Sequence, residues 1–301
     1  MKTKPQRRRK RKHPEASDLN KYSEIFFSSY NLSMQAAYDA CIEATEGRTS
    51  DGFADTGSEG FIQASLDNEY ERWLSEQLPE IGKTPSEYLN EAGFDEIKEM
   101  FCFGTEICDD ELPEIFVEKL MSYGNEAIGF LLETAAGEEC LVRSVMAARL
   151  LGRYKVLKAV LPLITIIESS EAGTELMKET ARDALADIGQ AAVSSIVQEM
   201  SSGNRSEETC EYLAMSLAEI GRDHPTDEIY SALKNAFNML EDKVVTAACL
   251  AKYGDGRAIP ALRGYLQKSG ENISREAFYD IVSSVRLLGG RIDDLKQVRK
   301  R

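Results

Sequence analysis

The chain has 301 residues, 43% hydrophobic and 29% charged, with a formal net charge of −15 at pH 7, a composition that supports a large core or two domains and excludes a chain unfolded throughout. Its longest apolar run, Ala159–Ile167, is nine residues, against the ~20 that a membrane-spanning helix needs, so no spanning segment is expected. A basic N-terminus without an apolar h-region, and six scattered cysteines (Cys41, Cys102, Cys108, Cys140, Cys210, Cys249) with no CxxC pair, argue against export, a disulfide framework and a zinc site; a cytoplasmic chain with reduced thiols is expected.

The net charge hides an asymmetry. Residues 1–13, MKTKPQRRRKRKH, hold eight Lys or Arg and no acid, and residues 296–301 hold four and no acid. Between them lies a body of 24 bases against 51 acids. Residues 1–16 read as a disordered basic tail, because like charges repel and nothing apolar there compensates the ordering entropy. Residues 296–301 read as a second short tail.

From Asp18 to Thr45, apolar residues recur at three- and four-residue steps (Tyr22, Ile25, Phe26, Tyr30, Met34, Ala37, Tyr38, Cys41), which predicts a helix. Glu46–Gly60 is rich in glycine, acids and hydroxyls and reads as a flexible loop. Phe61–Leu78 is helical in pattern and contains the only tryptophan, Trp73. Thr84, Pro85 and Glu87 spell a capping box with proline at the first helical position. Phe94–Ile107 continues in helical period, and Pro113 opens a further helix. Residues 17–112 are thus an N-terminal helical region.

Residues 113–295 repeat themselves. Six anchors, Gly124, Lys155, Gly189, Gly221, Gly254 and Gly289, follow one another at 31 to 35 residues. One position before each stand Tyr123, Tyr154, Ile188, Ile220, Tyr253 and Leu288. Four positions before stand Leu120, Leu151, Leu185, Leu217, Leu250 and Val285. All are large and apolar, and the i, i+3 spacing sets each pair on one helix face. A second apolar set follows each anchor, so each unit reads helix, glycine turn, helix. Glycine suits a left-handed helix end; at the exception, Lys155, the nearby Gly152 is expected to end the helix early. A period of this length built from paired helices predicts an all-α fold, an α-solenoid of about six stacked antiparallel helix pairs on the order of 50–60 Å long at ~9–10 Å between packed helices.

LADIG (Leu185–Gly189), LAEIG (Leu217–Gly221), LAKYGDGRAIPAL (Leu250–Leu262) and VRSVMAARLLGRY (Val142–Tyr154) resemble the short HEAT-like repeats first linked to phycobilisome lyases. The resemblance implies a HEAT-like superhelix. It leaves function open, because such repeats serve scaffolds, lyases, hydroxylases and DNA-repair proteins alike. The signatures of TPR and ankyrin repeats are absent.

Candidates for catalysis are few. The histidines are His13, in the basic tail, and His224, in an inter-helix turn before Pro225. The His-Glu pairs that the resemblance to iron-binding hydroxylases would require do not occur. The stretch from Gly254 to Ile259 has Ile259 where a third phosphate-cradling glycine belongs, and that from Gly124 to Gly129 is followed by Phe130 instead of lysine. No catalytic residue, metal or cofactor is expected.

Three functions stay open. The first is a non-enzymatic interaction scaffold whose acidic body binds a basic protein or peptide in a groove lined by second helices, with Arg257 and Arg263 as candidate partner contacts. The second is a nucleic-acid- or ribonucleoprotein-associated protein tethered by Arg7, Arg8, Arg9, Lys10, Arg11 and Lys12, a run that also suits an anionic membrane surface or, in a eukaryote, nuclear import. The third is a lyase-type HEAT-repeat enzyme.

Overall fold

The computed structural model describes residues 16–46, 57–108, 111–137, 139–169, 175–269 and 272–293. The basic run 7–12, residues 47–56 of the expected loop and the C-terminal tail lie outside them. The described residues are helical with turns and no strand, an all-α fold. No helix among them is long and apolar enough to cross a membrane. Packing divides the chain into two units, residues 1–127 and 128–301, with the division inside a helix.

The first unit contains α1 (Ala16–Glu46), α2 (Gly57–Ser75), α3 (Pro85–Glu91), α4 (Phe94–Ile107), α5 (Glu114–Met121) and the start of α6 (Asn125–Ala136). α2 begins four residues before Phe61, inside the stretch read as a loop; Gly57 and Gly60 weaken that turn as helix formers but do not stop it. α1 packs on α2 and α4, and aromatic rings fill the centre. Phe26 meets Trp73 edge-on at 5.4 Å, and Phe27 meets Phe116 at 5.3 Å. Such rings bury large apolar areas, and edge-to-face pairs add ~0.5–1.5 kcal/mol. Trp73 brings a polar handle to this core, satisfied by its Nε1–H donating to Ser29 Oγ at 3.0 Å. Gly104 on α4 lets the two helices close, since a Cβ there would stand 2.5 Å from the Phe27 ring. The capping box of α3 forms as its sequence predicts: Thr84 Oγ1 accepts from Glu87 N–H, and Thr84 N–H donates to the Glu87 carboxylate.

The second unit continues α6 and holds α7 (Leu141–Arg153), α8 (Val160–Glu168), α9 (Glu175–Ile188), α10 (Val193–Ser201), α11 (Glu207–Asp223), α12 (Asp227–Met239), α13 (Lys243–Tyr253), α14 (Ile259–Ser269) and α15 (Arg275–Leu287). The order of contacts repeats. The first helices pack in succession, α7 on α9, α9 on α11, α11 on α13 and α13 on α15, while α8 meets α10 and α10 meets α12. Leu151, Leu185, Leu217, Leu250 and Val285, the apolar residues four before the anchors of this unit, are all 0% exposed, and Leu120 in the first unit is likewise 0% exposed. Burying such a side chain is worth about 1.5–3 kcal/mol, so this row is the core of the repeat.

The anchors divide by backbone. Gly124, Lys155, Gly189, Gly254 and Gly289 all have φ between +51° and +85°. Lys155 therefore makes the turn itself. Its N–H donates to Gly152 O at 2.8 Å and Val156 N–H to Leu151 O at 3.0 Å, the same bonds that Gly289 and Gly290 make to Arg286 and Val285. The expectation that Gly152 ends α7 early is overturned: the helix runs on to Arg153, and Gly152 is a contact point where a Cβ would stand 2.6 Å from Ala184 Cα of α9. Gly221 also departs from the pattern. It lies inside α11, which continues to Asp223, and the Tyr253 ring covers it.

Candidate functional site

α11 is flanked by α9 and α13, and this packing leaves it little free surface. From Glu211 to Ile220 the only residues not buried are Glu211, Met215 and Glu219. They stand four apart, so they form one stripe along the helix at ~6 Å steps. Small residues on all three helices keep the floor beside this stripe low. Ala186 and Ala218 each follow the buried leucine of their unit, where α7 has Gly152, and Ala248 lies on α13.

The result is a half-open hollow of about 310 Å³. Ala186, Met215, Ala218, Val245, Ala248 and Cys249, with the buried Ser216, line its floor, and Arg182, Asp183, Glu219 and Lys252 give it a charged rim. Ser216 fixes α11 to α9, its hydroxyl donating to Arg182 O at 3.0 Å. The rim charges are paired. Arg182 holds Asp183 (Nη2 to Oδ1, 2.7 Å), while Glu219 bridges Arg222 (2.9 Å) and Lys252.

Beyond the rim, like charges crowd. Glu211 is held above the ordinary carboxylate range by partial burial and by Asp242, Glu207 and Glu208. Asp187, one turn beyond Asp183, is raised by partial burial, by Asp183 and by Glu219, against the pull of Lys155. α9 and α11 together carry nine carboxylates against three bases, so the field over the stripe is negative.

Little here suits covalent chemistry. Burial pushes the Cys249 thiol up to about 12, and a nucleophilic cysteine needs its pKa lowered. His224 is exposed at the end of α11, its N–H donating to Ile220 O at 3.0 Å. Among the described residues no group of three His, Cys, Asp or Glu could hold a metal ion.

The sequence-derived contacts fall elsewhere. Arg257 works inside the chain. Its Nη1 reaches Asp227 at 2.8 Å, its Nε reaches Asp255 at 2.7 Å, and the guanidinium lies 4.2 Å from the centre of the Tyr230 ring. The hydrogen bond from Arg257, opposed by slight desolvation, holds Asp255 below its usual range. Arg257 thereby ties the turn after α13 to the start of α12. Arg263 donates through Nη1 to Arg291 O. Neither residue lines the hollow. Arg7, Arg8, Arg9, Lys10, Arg11 and Lys12 lie outside the described residues. The hollow lies on first helices, whereas the sequence reading expected a groove on second helices. Met215 and the alanines escaped notice in the sequence because they look like ordinary helix residues; their shared place in the repeat was the available signal. Compared with models of protein families, with curated proteins and with solved structures, the chain matches none.

Proposed function

We propose that the chain is a non-enzymatic interaction protein whose second unit is a HEAT-like α-solenoid, and that a segment of a partner protein docks in the hollow over α9, α11 and α13. The repeating contact order of the helices, the row of fully buried leucines and the recurring left-handed turns support the solenoid reading. The observation that carries the docking reading is the hollow itself, a mostly apolar floor with a charged rim drawn from three successive first helices. Its volume stands at the lower end of the ~300–1,000 Å³ typical of small-molecule sites, and its open side would leave a small ligand wet. A side chain presented by a helix or strand suits it better, as in helix-in-groove recognition.

The test is a selection of helical peptides on the full-length chain, with Ala248→Arg as the blocking variant. Ala248 is exposed, so the arginine fills the hollow without entering the core. Peptides from the selection should bind Ala248→Arg at least tenfold more weakly. Peptides that bind variant and parent alike would refute the docking site. A chain that selects no peptide but binds RNA or DNA at low salt through residues 1–13 would replace this reading with the nucleic-acid one.

A further inference from the structure

The stripe on α11 has a definite order: carboxylate, thioether, carboxylate. Glu211, Met215 and Glu219 are each one turn apart, and their neighbours on the helix are buried. A partner element lying along α11 meets these three groups and little else of that helix. α9 repeats the sense of the charge, with Glu179, Asp183 and Asp187 at the same four-residue spacing. On α13 the corresponding line is apolar up to Lys252.

We infer that the occupant of the hollow is an amphipathic helix carrying a base, an apolar residue and a base at i, i+4 and i+8. The inference rests on the docking reading above and specifies its partner. The apolar residue, of leucine or methionine size, sits over Met215, Ala218 and Ala248. The two bases fall ~6 Å to either side along the axis, one beside Glu211 and the other beside Glu219 and Asp187. Charge complementarity selects this pattern. At the amino end of the stripe Glu207, Glu208, Glu211 and Asp242 stand together, and at the other end Asp183, Asp187 and Glu219 do. The rim bases Arg182, Arg222 and Lys252 already hold Asp183 and Glu219, and Lys178 holds Glu208 at 2.6 Å, so an acidic helix would meet bases that are already paired beside the crowded Glu211 and Asp187. Bases from a partner relieve Glu211 at one end and Asp187 at the other, whereas a purely apolar helix leaves both crowded.

Three fluorescent alanine-based helical peptides of equal length, titrated against the full-length chain, test this. One carries Lys-x3-Leu-x3-Lys on one face, the second has the same composition with the lysines moved to the opposite face, and the third has glutamates in place of the lysines. The first should bind at least tenfold more tightly than either control. Glu211→Lys/Glu219→Lys should reverse the preference toward the glutamate peptide. Glu211→Lys alone, at a position crowded only by acids, should move it part of the way and guards against loss of the Glu219 bridges. Equal binding of the two lysine peptides would mean attraction to the acidic body at large and would overturn the inference. Binding of all three alike, lost in Ala248→Arg, would also overturn it while leaving the docking site in place. Binding of none, or binding untouched by Ala248→Arg, would overturn both.

Discussion

The ring of Tyr253 lies against the bare face of Gly221, and the Tyr253 hydroxyl donates to the Thr226 carbonyl at 2.9 Å. One aromatic residue at the end of α13 thus meets both the end of α11 and the cap of α12. Tyr123 repeats half of this arrangement, donating to Ala92 O at 2.9 Å from the same position in its own unit. Gly221 is therefore needed for space and not for a turn. Gly221→Ala should cost about 1–3 kcal/mol, as overpacking of a close contact does, and lower the thermal midpoint by ~2–4 °C for each kcal/mol lost. Thermal unfolding followed by circular dichroism checks it. An unchanged midpoint would mean that the ring moves aside freely.

Lys155 should respond in the opposite direction. A side chain in the left-handed region costs about 1–2 kcal/mol, partly offset in a glycine variant by the entropy gained in the unfolded chain. Lys155→Gly is expected to stabilise the chain by about 0.5–1 kcal/mol. Urea titration at constant m-value reads this directly, and a loss of stability would show that Lys155 contributes a contact worth more than the strain.

Glu211 offers a pH test. Its folded pKa is raised, by partial burial and by Asp242, Glu207 and Glu208. A raised carboxylate is penalised only when charged. The penalty is fully present above the folded pKa, shrinks as pH falls through it and vanishes below the unfolded value near 4.5. Glu211→Gln should therefore stabilise the chain at pH 7 by about 0.2–0.5 kcal/mol, the scale of exposed like-charge pairs. The gain should disappear at pH 4. A gain of the same size at both values would assign the effect to something other than charge.

Glu168 should show the reverse sign. Despite partial desolvation, hydrogen bonds from Thr209 and from the backbone and hydroxyl of Ser206 hold its pKa below the usual range. Its contribution is present above the unfolded value and is lost as pH falls through the folded one. Glu168→Gln should destabilise at pH 7 and converge on the parent in acid, as denaturant midpoints measured across that range will report.

The repeat was legible because its signal is local and periodic: a leucine and an aromatic or aliphatic residue three apart, then a turn. What Lys155 and Gly221 do was not legible. A glycine that ends a helix and a glycine that admits a ring are the same letter, and only the neighbour about 30 residues away tells them apart. The hollow escaped for a similar reason. Its lining comes from α9, α11 and α13, and Ala186, Met215 and Ala248 become neighbours only when those helices pack. Arg257 drew attention by its charge, yet charge alone does not reveal that Asp227 and Asp255 already hold it.

The narrowness of the α11 stripe bears on how this chain can change over time. Most substitutions on that helix disturb packing against α9 or α13, because its other central positions are enclosed. Glu211 and Met215 can vary at small cost to folding, and Glu219 at the cost of its bridges to Arg222 and Lys252. On the docking reading proposed above, selection for a different partner would act on these letters of one helix while the architecture around them stays constant.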